Sequence, residues 1–185
     1  GVLLRELERK LPLEALMRHA AKLELFRRVH GQKRQDKNKI YSLHEPLVSC
    51  IAKGKVHKKY EFGCKVSVAW TKTSGVIVGA KAFTGNPFDG RTLDAALAQV
   101  EAITGKRPAR VAADKGYRGR KFVGTTEIHV PGRPTRQTTA HERRTAKHRF
   151  RRRAGIEGVI SHLKHDFRMV RNYLKGVVGD AINAM

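Results

Sequence analysis

The chain has 185 residues, of which 40 % are hydrophobic. That is enough for one packed domain with a small extension, but low for a fully globular enzyme. Lys and Arg number 39 against 16 Asp and Glu, a formal net charge of +23; such an excess repels itself in a compact fold and points to a polyanionic partner, nucleic acid first.

Residues 2–29 mix apolar and basic side chains at helical spacing, with Leu16, Ala20, Leu23 and Phe26 on one stripe. They predict one or two basic amphipathic helices. Residues 30–60 are polar, rich in Lys and His, and poorly periodic. They read as a long basic connection with local order around Tyr41–His44. Cys50 and Cys64 form no CxxC pair, and with His44 and His57 they match no zinc spacing, so free thiols are expected. Glu61–Ala69 alternates, with Phe62, Cys64, Val66 and Val68 on one face, and predicts a single half-buried strand. A Lys72–Gly75 turn and an apolar Val76–Ala80 run complete a hairpin.

Asp89 is placed to cap a helix whose apolar positions are Leu93, Leu97, Val100 and Ile103, and Gly105 ends it. Arg110–Ala113 predicts a buried parallel strand in the same sheet as the hairpin, with Asp114 at its carboxyl end. Glu127–Val130 predicts a further strand. Residues 131–147 read as a basic, Thr-rich loop, and residues 148–166 as a helix with Ile156, Ile160, Leu163 and Phe167 on one stripe. The order implies a mixed α/β layer fold. No apolar run reaches the length of a membrane span, and no signal peptide opens the chain. The chain starts within a helical pattern without Met and stops on an apolar segment, so both ends read as cut and a fragment is expected.

Two places could carry chemistry. Asp114, followed by Lys115-Gly116-Tyr117-Arg118-Gly119, sits where ligand sites of open α/β sheets lie; a turn Asp before glycine is the plain structural reading. In the late helix, Phe150, Arg153, Glu157 and Lys164 fall within roughly 60° of one another. An Arg–Glu pair at i, i+4 is common on exposed helices and is the plain reading there.

These two segments together resemble the second-Asp and Glu motifs of insertion-sequence DDE transposases. The family pattern is Tyr-x2-Arg-x3-Glu-x6-Lys, and this chain has Phe150 in the Tyr place. Tyr60–Gly63, Gly85–Gly90 and Tyr173-Leu174-Lys175-Gly176 with Asp180-Ala181 are similar to the insertion-sequence-five group, a likeness running from about residue 33 onward.

The resemblance implies a ribonuclease-H-like mixed sheet with flanking helices, here the C-terminal portion without its first strand. On that basis residues 1–30 are the end of a basic helical insertion, 31–60 a connection, and 61–185 the later, C-terminally truncated part of the catalytic domain. The resemblance further implies that Asp114 and Glu157 are catalytic and hold Mg²⁺ or Mn²⁺, hard cations that take oxygen ligands. Arg153, Lys164, Lys115, Arg118, Arg151 and Arg152 would meet DNA, both insertion-sequence ends and target. The side chains of Asp114 and Glu157 should then converge on one cleft. Neither Asp36 nor Asp89 looks like the family's first catalytic Asp, so the chain alone is expected to be inactive. A homodimer in the transposition complex and a cytoplasmic, nucleoid-associated location follow from the same resemblance. The alternatives are a non-catalytic DNA-binding remnant and a basic RNA-binding protein.

Overall fold

The structure is a computed structural model, and residues 1–54, 56–57 and 59–185 are described. The chain divides into two compact units, Gly1–Gly63 and Cys64–Met185.

The first unit begins with three helices rather than one or two: α1 (Val2–Lys10), α2 (Leu13–Arg18) and α3 (Ala20–Gly31). Pro12 is the N-cap of α2, a position where its missing N–H costs nothing, so it separates α1 from α2. His19 closes α2 and opens α3. Leu23 is the buried residue of α3, and Arg27 ties α3 to α1 through Glu8 at 2.8 Å. The basic connection contains a strand that the sequence does not announce. β1 (Ser49–Ala52) pairs antiparallel with β2 (Tyr60–Gly63), Cys50 opposite Phe62. Tyr41 leans on the Phe62 ring at 5.3 Å between centroids. Upstream, the Gln32 carboxamide both accepts from Ile40 N–H and donates to its carbonyl, which orders the loop between them.

The alternating run from Glu61 to Ala69 is therefore not one strand. It breaks at Gly63, whose φ of 152° is open to glycine and not to residues with a Cβ. β2 ends there, and β3 (Lys65–Trp70) starts in the second unit. Phe62, expected on the buried face, is 60 % exposed.

In the second unit β3 and β4 (Ile77–Phe83) form the expected antiparallel hairpin, Lys65 opposite Phe83 and Val68 opposite Ala80. Its turn closes through Thr71 N–H to the Val76 carbonyl at 2.8 Å, with Gly75 at φ 69°. α4 (Asp89–Thr104) follows and ends on Gly105 at φ 71°. Its cap is Phe88, and Asp89 lies one residue inside the helix with no side-chain cap bond; the expectation that Asp89 caps it is corrected. Ile103 is also off the buried face, 62 % exposed, while Leu93, Leu97 and Val100 are buried.

β5 (Arg110–Ala112) does not join the hairpin, against expectation. It pairs in parallel with β7 (Thr126–His129), and β7 pairs antiparallel with β6 (Phe122–Val123). The hairpin and this three-stranded sheet are separate in hydrogen bonding, and α4 packs against both. Leu93 and Leu97 meet Ala113, Val123 and Ile128. Further along, Val100 and Gln99 crowd Gly79 of β4 so closely that a Cβ there would lie 3.1 Å from the Val100 methyl. The late helix α5 (Ala140–His165) starts eight residues earlier than the apolar stripe predicts. Thr139 and Glu142 form a reciprocal capping box, which satisfies donors that the first turn leaves open. Phe167 lies beyond the helix and is 74 % exposed. α6 (Gly176–Ala184) closes the chain. No helix among the described residues is long and apolar enough to cross a membrane.

Candidate functional site

Asp114 follows β5 after one further residue, Ala113, and is the N-cap of a single 3₁₀ turn, Lys115–Tyr117. Its Oδ1 accepts the Lys115 N–H at 2.6 Å, so one carboxylate oxygen is held by its own turn. The side chain is exposed. Beside it, Lys115 and Arg118 line a cleft of about 710 Å³ with Pro131, Gly132 and Arg133. Arg118 is anchored there by Nη2 donating to the Pro131 carbonyl at 3.2 Å. Two cations thus stand on the turn that carries the carboxylate, and a third stands across the cleft.

α5 passes beside β5 and rests on the hairpin. A Cβ at Gly155 would meet the Trp70 ring at 3.1 Å, and Arg152 Nη1 donates to the Lys72 carbonyl at 3.1 Å. Arg152, expected among the DNA contacts, is therefore tied through one nitrogen to the hairpin turn, although the residue remains exposed. Arg153 Nη2 reaches Glu157 Oε1 at 3.5 Å, the i, i+4 pair that the plain reading expects. The Arg153 side chain is 22 % exposed and its Nε is buried without a hydrogen-bond partner, while the Glu157 side chain is 72 % exposed. Lys164 is half-buried and Arg151 exposed.

On the helical wheel, Phe150, Arg153, Glu157 and Lys164 form one face. Arg143, Arg144, Lys147 and Arg151 form an adjoining stripe about 100° wide, and all four are exposed. The two groups are contiguous on a helix of 26 residues. The opposite side carries Gly155 and Arg152, which meet the hairpin, and the half-buried Ile156 and Ile160.

His129 ends β7 level with Ala112, next to the start of the Asp114 turn. Its Nε2 lies 3.3 Å from Glu127 Oε2, yet without the alignment of a hydrogen bond. Burial pushes its pKa below the usual histidine value, and Arg149 adds to that; Glu127 opposes it.

Among the described residues no group of three His, Cys, Asp or Glu side chains gathers into a metal-binding set. Just past the carboxyl end of β5, Asp114 offers hard carboxylate oxygens. Their type fits Mg²⁺ or Mn²⁺; their number is short of what a two-ion centre needs. Asp36 accepts the Lys33 N–H in a loop of the first unit, and Asp89 is ion-paired with Lys65 at 2.8 Å.

The sequence profile of one family, the transposase DDE domain, matches residues 26–184. The chain belongs to that family. Comparison with curated proteins and with solved structures returned no significant match. The match spans both segments on which the resemblance rested, the Asp114 turn and α5. Sequence reasoning missed how the Asp114 turn is supported. Lys65 Nζ bonds Asp89 Oδ1 and the Pro87 carbonyl, and Asp89 Oδ2 occupies the place that a side chain at Gly116 would take. The glycine at position 116 was the available signal.

Proposed function

We propose that this transposase-family chain takes part in divalent-metal-dependent DNA cleavage and strand transfer during movement of an insertion sequence of the insertion-sequence-five group. Asp114 and Glu157 act as metal ligands in a ribonuclease-H-like domain. The reading is carried by one juxtaposition. A carboxylate stands just past the carboxyl end of β5 on a turn that carries two cations, and α5, running beside that strand, presents Glu157 on a face that continues into a basic stripe.

Bound Mg²⁺ or Mn²⁺ supplies activation of a water or 3′-hydroxyl and stabilisation of the leaving oxygen. The chain's own residues do the rest. Lys115, Arg118 and Arg133 receive backbone phosphates at the cleft, and Arg151 and Arg152 track the strand along α5, contacts that position DNA without reading its sequence. Arg153 and Lys164 offset the charge of Glu157 and meet phosphates near the cut. The protein works as a homodimer on the DNA ends, in the bacterial cytoplasm at the nucleoid.

A second reading, non-catalytic DNA binding, is favoured by the carboxylate count. Asp114 and Glu157 have no third acid gathered with them into a metal-binding set among the described residues; Asp36 lies in a loop of the first unit, and Asp89, although it reaches the Asp114 turn at Gly116, is ion-paired with Lys65. The test is a cleavage and strand-transfer assay with Mn²⁺ on DNA carrying the element's ends. Products that vanish in Asp114→Asn and Glu157→Gln support the first reading. Tight DNA binding without product, unchanged in both variants, supports the second. Preference for a structured RNA competitor over terminal-repeat DNA overturns both.

A further inference from the structure

We propose that Lys65 and Asp89 form a clamp that fixes the direction of the Asp114 carboxylate, and that they are positioning residues rather than metal ligands. The inference rests on Asp114 being a site residue. Three elements meet at this point. Lys65 opens β3, and its ammonium, 22 % exposed, donates to the Pro87 carbonyl at 2.6 Å and to Asp89 Oδ1 at 2.8 Å. Asp89 stands in the first turn of α4, where a negative charge is favoured by the helix dipole. With Oδ1 held, its other oxygen is aimed at the 3₁₀ turn. A Cβ on Gly116 would lie 2.0 Å from Asp89 Oδ2 and 3.0 Å from its Cγ, so the carboxylate fills the space where position 116 lacks a side chain.

The next residue is held from the other side. Tyr117 OH lies 3.3 Å from Ser67 Oγ and 3.4 Å from Thr92 Oγ1, and Thr92 Oγ1 donates to the Asp89 carbonyl at 2.7 Å. Lys65 and Ser67 are two apart on β3 and share a face; Asp89 and Thr92 are three apart on α4 and share one turn. The hairpin and the helix therefore grip residues 116 and 117 together, and Asp114 is two residues upstream. A ligand whose supporting groups are left loose is misplaced by an ångström or so, and outer contacts of this kind are worth tenfold to a hundredfold in metal affinity.

The experiment uses the whole chain and Mn²⁺ alone, titrated by electron paramagnetic resonance, with amide hydrogen exchange read at Lys115 and Tyr117. The variants are Asp89→Ser, Gly116→Ala, their combination, and Asp114→Asn. Asp89→Ser and Gly116→Ala are each expected to weaken Mn²⁺ binding about tenfold and to speed exchange in residues 114–118. The double variant should be no worse than Asp89→Ser, because the smaller side chain makes room for the added methyl. Additive losses overturn the clamp. So does unchanged Mn²⁺ binding in Asp89→Ser and Gly116→Ala while Asp114→Asn abolishes it. If Asp114→Asn changes nothing, it is the metal-ligand reading of Asp114 that fails. The clamp is then judged on exchange alone, and unchanged protection at residues 114–118 overturns it. Should Gly116→Ala fail to fold, Asp89→Ser adds no bulk and carries the test.

Discussion

Neutralising the basic stripe of α5 should remove a countable part of the salt dependence of DNA binding. Between residues 131 and 153 the exposed cations are Arg133, Arg136, Arg143, Arg144, Lys147, Arg151 and Arg152. If each neutralises one phosphate, log K falls against log salt with a slope of about −6, since each contact contributes about 0.9. Raising salt from 50 to 200 mM would then cost roughly four decades of affinity. Replacing Arg143, Arg144 and Lys147 by Gln removes three charges from one end of the stripe and touches neither Asp114 nor Glu157. The slope should become shallower by about 3. Fluorescence anisotropy with a labelled duplex of arbitrary sequence, repeated over a salt series, measures it. An unchanged slope refutes the reasoning. So does an equal change per charge in Arg5→Gln/Lys22→Gln, on the helices of the first unit, because binding would then be diffuse and not a property of α5.

Thr139→Ala breaks the capping box and should cost the domain about 1 kcal/mol, seen as a lower melting temperature and faster amide exchange at the start of α5. Leu97, 3 % exposed at the centre of the core, should cost about 2–5 kcal/mol as Leu97→Ala, measured by denaturant unfolding. Burial, with Asp180 adding to it, pushes the Cys64 thiol up to about 11; at pH 8 it should alkylate roughly a hundredfold more slowly than an ordinary exposed thiol, checked by mass spectrometry of iodoacetamide-treated protein. His129 is held below the usual histidine value, so the folded state prefers the neutral ring. The associated stability is intact above the ordinary value near 6.5 and is lost as pH falls from there through the folded value. Thermal melts between pH 7.5 and 5.5 should show this loss, and His129→Gln should flatten it.

Local pattern carried the sequence reading where one short segment decides the outcome. The hairpin turn at Lys72–Gly75 and the stop of α4 at Gly105 depend on glycines at positive φ, and both were legible. The start of α5 was legible in principle, since Thr139-x-x-Glu142 is a capping box, but the apolar stripe begins later and drew the boundary with it. The single strand drawn across Glu61–Ala69 failed because alternation continues through Gly63 while the backbone does not. Pairing was the least legible. Arg110–Ala113 reads as a buried strand, yet nothing in those residues says that its partner is β7 and not the hairpin. The site divides the same way. Asp114 and Glu157 stand in recognisable segments, whereas the Lys65–Asp89–Gly116 arrangement joins three elements far apart in sequence and becomes visible only once they are packed.

The chain has a single tryptophan, and α5 sits directly on it: Gly155 leaves room for the Trp70 ring where any Cβ would press on it at 3.1 Å. Trp70 is thereby an optical gauge native to the protein. Its emission should move to the red when α5 lifts from the hairpin and water reaches the ring, and it should stay still when DNA merely coats the outer face of the helix. A titration with duplex DNA followed at that one fluorophore therefore separates binding that leaves the helix seated from binding that pries it loose, with no label added.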